Sequence, residues 1–166
     1  PRMPDGKPDL SGVWENVPAP RIGEQNVPPL SRTSQFWNIG VGLAGDLPLR
    51  PWAAELRARR VADNSKDNPD AHCLPLGLTQ LHNHPQPRKI IQTPTEVILI
   101  YEGSGTTVRE IFLDGRALPK DPEPWVHGTS TTHWEGDTLV VNSFGFDERT
   151  YVMPTGWFHS DVMKVT

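Results

Sequence analysis

The chain has 166 residues, which suits one domain with a single core and leaves too little for two. Eighteen prolines and 14 glycines are a high share, but six tryptophans and 36% hydrophobic residues exclude simple disorder. The formal charge of −4 comes from 16 basic and 20 acidic residues, interspersed apart from Arg57, Arg59 and Arg60, so there is no electrostatic footprint for nucleic acid. No apolar run approaches the roughly 20 residues that cross a bilayer.

In chain order, residues 1–50 carry eight prolines (Pro1, Pro4, Pro8, Pro18, Pro20, Pro28, Pro29 and Pro48), which limits regular structure to short pieces at Ser11–Trp14 and Phe36–Trp37. Proline lacks a backbone donor and biases its predecessor to extended geometry, so this arm is expected to wrap a surface. Its start, PRMPDG, has no initiator methionine and no apolar leader, which suggests a trimmed product. One helix is expected from Pro51 at the first turn through WAAELRARRVADN, with Trp52, Leu56 and Arg59 or Arg60 on one side. Residues 67–87 read as a long turn-rich loop, and within it Cys73, the one cysteine, excludes an internal disulfide.

From Lys89 the pattern turns to period two. KIIQT, TEVILIYE, TTVREIFL, TSTTHW, DTLVVNSF and DVMKVT are short β-rich runs separated by Gly, Pro or Asp. In the last hairpin, Gly136-Asp137 as a type II′ turn pairs Glu135 with Thr138, Trp134 with Leu139 and His133 with Val140. Thr132, Trp134, Leu139 and Val141 then share one face. In the earlier hairpin, GSGT at 103–106 is expected to set Glu102 opposite Thr107 and Tyr101 opposite Val108, which puts Glu102 and Arg109 on one surface. The fold expected is mainly β, an antiparallel meander or lipocalin-like barrel over residues 89–166, with residues 1–88 as a proline-rich wrapping arm holding one short helix.

The opening PDGKPDLSGVW and the segments EIFLDGRALPKDPEPW and HWEGDTLVV resemble a family of exported bacterial proteins of undetermined activity, common in soil acidobacteria and proteobacteria. CLPLG, IIQTP and FHSDVMKVT extend the resemblance nearly end to end. It implies export through a removed signal peptide, hence a periplasmic or secreted protein. Family members generally continue past the position of Thr166 with another strand-like stretch.

Three sets of residues are candidates for chemistry. His133 lies on one hairpin face with Thr131, Glu135, Thr138, Val140 and Asn142; in a closed barrel this becomes a polar lumen in which His133 acts as acid or base and Glu102 and Arg109 stabilise charge. On an open sheet the same residues are a solvated surface and a weak ion pair. Thr131, Asn142 and Trp125 are the expected ligand contacts. His82 and His84 in HNH, with His72 nearby, suit zinc or copper if extended backbone puts both rings on one face; otherwise they are loop residues. His159-Ser160-Asp161 has the residue types of a hydrolytic triad, but adjacent residues cannot readily adopt triad geometry, and no nucleotide-binding or nucleophile-elbow motif is present.

Trp14, Trp37, Trp52, Trp125 and Trp157 lie in or beside proline-rich stretches, where they stack on sugars, anchor another subunit or, as the favoured reading, pin the arms. Two functions follow. One is a small-molecule-binding protein or enzyme with a lumen near His133. The other is a non-catalytic structural or self-assembling protein, joined to other copies through the arm and the sheet edge at SDVMKVT.

Overall fold

The computed structural model describes residues 1–15, 47–103 and 107–166. The expected Phe36–Trp37 piece, most of the arm and the centre of the GSGT turn lie outside the described residues.

The fold is mainly β, with two antiparallel sheets. Strand β1 (Gly12–Trp14), β2 (Arg88–Gln92), β3 (Glu96–Tyr101) and β4 (Thr107–Phe112) form one sheet in that order, and β5 (Thr129–Glu135) and β6 (Thr138–Phe144) form the other. The meander is therefore interrupted between β4 and β5, where DGRALPKDPEPW carries three prolines and cannot sustain a ladder. Two sheets are what the described residues form, and among them no closed barrel is seen. The sheets are tied by Thr132, whose hydroxyl donates to the Phe112 carbonyl at 2.8 Å, and by Arg109.

Helix α1 (Pro51–Ala62) begins where proline takes the first helical position and continues through residues of high helix propensity. Its inner face is Ala53, Leu56, Arg57 and Arg60. Arg57 lies over the Trp157 ring at 4.2 Å and Arg60 over Tyr151 at 4.5 Å. The segment 67–87 is more regular than its turn-rich composition suggests. A 3-10 turn (Pro69–His72) and a short helix α2 (Leu78–His82) interrupt it, the latter too brief to show a helical period. α2 brings Leu78, Gln80 and Leu81 into the interior.

The β5–β6 register agrees with expectation at each pair from Thr129↔Phe144 to Glu135↔Thr138. Gly136 has φ +60 while Asp137 is not left-handed, as a type II′ turn requires. The earlier hairpin corrects the expected register by one residue: Tyr101 faces Thr107 and Leu99 faces Arg109. This slip lets Ile111, rather than Phe112, lie opposite Val97 in the core, and a one-residue slip reverses every side chain. Arg109 consequently shares the inner face with Leu99 and Tyr101.

That inner face builds the core from Leu76, Leu81, Val97, Leu99, Tyr101 and Ile111, flanked by Ile90, Leu113, Leu139 and Val141. Of the tryptophans expected to pin the arms, Trp157 is buried, whereas Trp14, Trp52 and Trp125 are exposed and Trp37 lies outside the described residues. Polar contacts fasten the N-terminal loop instead. Arg2 makes two hydrogen bonds to the Asp137 carboxylate at 2.7 and 3.0 Å, and Gln92 accepts from the Leu10 amide at 2.7 Å. At the other end Val165 exchanges both backbone hydrogen bonds with Ser143 of β6, at 2.8 and 3.0 Å, so SDVMKVT contributes one bridge rather than a strand.

Candidate functional site

A cleft of about 430 Å³ runs beside β4, walled by Phe112, Leu118, Pro119 and Trp125 and floored by Arg109, His127 and Ser130. Its geometry starts from the register of β3 and β4. With Leu99 opposite Arg109, the guanidinium leaves the sheet on the inner side, where Nη2 donates to the hydroxyls of Ser130 and Ser143, each at 2.8 Å. These two serines are a cross-strand pair of β5 and β6, with their oxygens 2.9 Å apart. One arginine thus joins the two sheets.

The opposite wall is set by a turn. The Gly128 amide donates to the Trp125 carbonyl at 3.0 Å, and Gly128 takes φ +63 with no room for a Cβ, which would fall 2.6 Å from the Phe144 carbonyl oxygen. Trp125 is also held through its backbone, donating to Gly145 and accepting from Asp147 at 3.0 Å each, so its exposed ring projects from a fixed base. Two residues on, His127 is buried and its Nε2 has no hydrogen-bond partner among the described residues.

The electrostatics are those of a positive, desolvated floor. Burial lowers the Arg109 pKa, opposed by the Tyr101 hydroxyl beside it. No carboxylate pairs with Arg109 among the described residues. Burial, and then the charge of Arg109, push His127 down to about 4, against a hydrogen bond to the Leu76 carbonyl. His127 is therefore neutral near pH 7.

A second polar group adjoins this floor. Tyr101 is buried, and burial raises its pKa against the opposing charges of Arg109 and Arg88. His82 is exposed as a residue, yet its Nδ1 turns to the Tyr101 hydroxyl at 3.3 Å and to Arg88 Nη1 at 3.2 Å. Desolvation of the ring, with Arg88 and Arg109, lowers His82 to about 4.

The residues expected to act with His133 do not converge on it. His133 is exposed and its Nε2 meets Glu135 at 2.9 Å. Ser130 and Thr132 turn toward β4, so by strand alternation His133 lies on the opposite face of the hairpin from Arg109. Glu102, just past β3, is exposed. Thr131 pairs with Asn142 on that same outer face, where Asn142 accepts from the Thr166 hydroxyl at 3.0 Å. Of the expected ligand contacts Trp125 lines the cleft, and of the expected acid–base group Arg109 does.

The histidines of HNH are on helical rather than extended backbone: His82 ends α2 and Asn83 stays in the αR region, so the two rings are not set on one face. His72 is exposed at the end of the 3-10 turn, His84 is half-buried against Gly103, and a cation, Arg88, lies at His82. Among the described residues no three His, Cys, Asp or Glu side chains come together to hold a metal.

Sequence reasoning missed His127, Ser130 and Ser143. The available signal was the WVHG turn immediately before β5, where a histidine precedes a glycine at a strand entry. Chemically the site can bind better than it can cleave. Ser130 bonds to Arg109 and Ser143 and to no base, so nothing among the described residues activates it as a nucleophile.

No family model, curated protein or solved structure matches the chain.

Proposed function

We propose that the protein binds a small molecule in the cleft beside β4, and that the outer face at His133 is a solvated surface. One observation carries this reading: fixed polar side chains, Arg109, His127 and Ser130, converge at the floor of a concavity whose walls are apolar and aromatic. The volume falls within the range of ligand pockets, roughly 300–1,000 Å³. Export to the periplasm or outside the cell is part of the proposal, and its support is the resemblance of PDLSGVW, EIFLDGR and HWEGDTLVV to exported proteins. Assembly through the C-terminal edge is the weaker alternative, because Val165 already satisfies both backbone groups of Ser143.

The test is a thermal-shift panel of small molecules of varied charge and shape, followed by Trp125→Ala and His133→Ala. A stabilising compound is expected to lose its effect in Trp125→Ala and to keep it in His133→Ala. The opposite pattern would return the site to the outer face of the hairpin.

A further inference from the structure

Resting on the cleft reading, we infer that the ligand is an organic acid with an apolar ring. Each part answers a feature of the cleft.

The acid answers Arg109. A guanidinium that is largely removed from water needs an anion or several acceptors around it. The described residues provide two serine hydroxyls and the Tyr101 hydroxyl near it, all neutral, and both serines accept from the same nitrogen, Nη2. The fork of a guanidinium matches a carboxylate in a way that no single hydroxyl does. Two other charged residues border the cleft. Arg116 is committed to Asp114 and stacks on Phe112 with its centre 3.6 Å from the ring centroid. Glu110 pairs with Ile98 across the strands, on the face of β4 opposite to Arg109, and is exposed. It therefore faces away from the floor where an acid would sit.

The ring answers Trp125, whose exposed aromatic surface borders the cleft.

A matched series tests both parts by calorimetric titration of the whole chain near neutral pH: mandelate, glycolate (the ring removed), 1-phenyl-1,2-ethanediol (the charge removed) and benzylammonium (the charge reversed). Mandelate is expected to bind at least about tenfold more tightly than glycolate or the diol, with no binding of benzylammonium. Equal affinity for the diol and mandelate, lost in Trp125→Ala, overturns the acid while leaving the cleft as the binding site. Equal affinity for glycolate and mandelate overturns the ring. If none of the four binds, the inference falls, and the cleft reading is then judged by the broader panel alone. Arg109→Met should abolish mandelate binding. Because that arginine also ties the sheets together, its variant is first shown to be folded by tryptophan fluorescence, a folded Arg109→Met that still binds mandelate overturns the acid, and His133→Ala on the outer face serves as the comparison and should bind mandelate within about threefold of the native chain.

Discussion

Acidification should destabilise the protein through His127, and His127→Gln should remove that sensitivity. The native imidazole is buried, with its pKa pushed down to about 4 by burial and by Arg109, whereas the unfolded chain titrates near the ordinary value of 6.5. Between these values the unfolded state holds a proton that the native state lacks, so stability is full above about 6.5 and falls as the pH drops toward 4. At about 1.4 kcal/mol per pH unit, the loss is about 2 kcal/mol by pH 5 and at most about 3 kcal/mol over the whole window. Urea unfolding followed by tryptophan fluorescence, from about pH 7 to about pH 5, gives the two curves. Glutamine retains a polar amide and does not titrate in this window, and His82, whose pKa is also lowered to about 4, is present in both proteins and cancels in the difference. Curves that stay parallel down to pH 5 would refute the reasoning, since His127 would then be free to take up its proton in the native state.

Gly128→Ala should cost roughly 2 kcal/mol or more, because the new methyl meets the Phe144 carbonyl and φ is +63; a loss of a few tenths by thermal unfolding would show that the turn yields. Trp134→Ala should cost roughly 2 kcal/mol, since the ring is half-buried under Lys7 rather than enclosed, and a loss above about 4 kcal/mol would place it fully inside. Added zinc or copper should leave the melting temperature unchanged, and a saturable rise that disappears in the His82→Ala, His84→Ala double variant would restore the metal reading.

The strands from β2 to β6 were readable because each is a short run of β-branched and aromatic residues bounded by turn residues, and the β5–β6 register followed from Gly136 and from matching Trp134 to Leu139. The β3–β4 register was not readable. TVREIF offers an apolar residue and a charge on either parity, so alternation alone leaves open whether Ile111 or Phe112 faces inward, and the answer depends on packing against Val97. That ambiguity concealed the site, because it decides which way Arg109 points. α2 escaped notice for a different reason: one helical turn between Pro75 and Pro85 has no period to detect, though it carries Leu81 into the core. Arg109 and Trp125 could be named as isolated candidates, but their meeting with His127 depends on how the sheets pack, which no local pattern encodes.

The clasp of Arg2 on Asp137 joins residues 135 positions apart, and Leu10 reaches Gln92 across 82. Contacts this distant in sequence must close very long loops before they return any stabilisation, so the chain should fold slowly and late. Arg2 and Lys7 have no hairpin turn to grip until β5 and β6 have paired, whereas Pro8 and Leu10 need only Gln92 of β2. β2 to β4, whose pairings are local, can assemble early, while the edge of β2 that β1 will occupy stays open. During that interval the bare edge is the surface at which one chain can wrongly pair with another, and the arrival of the N-terminus ends the hazard.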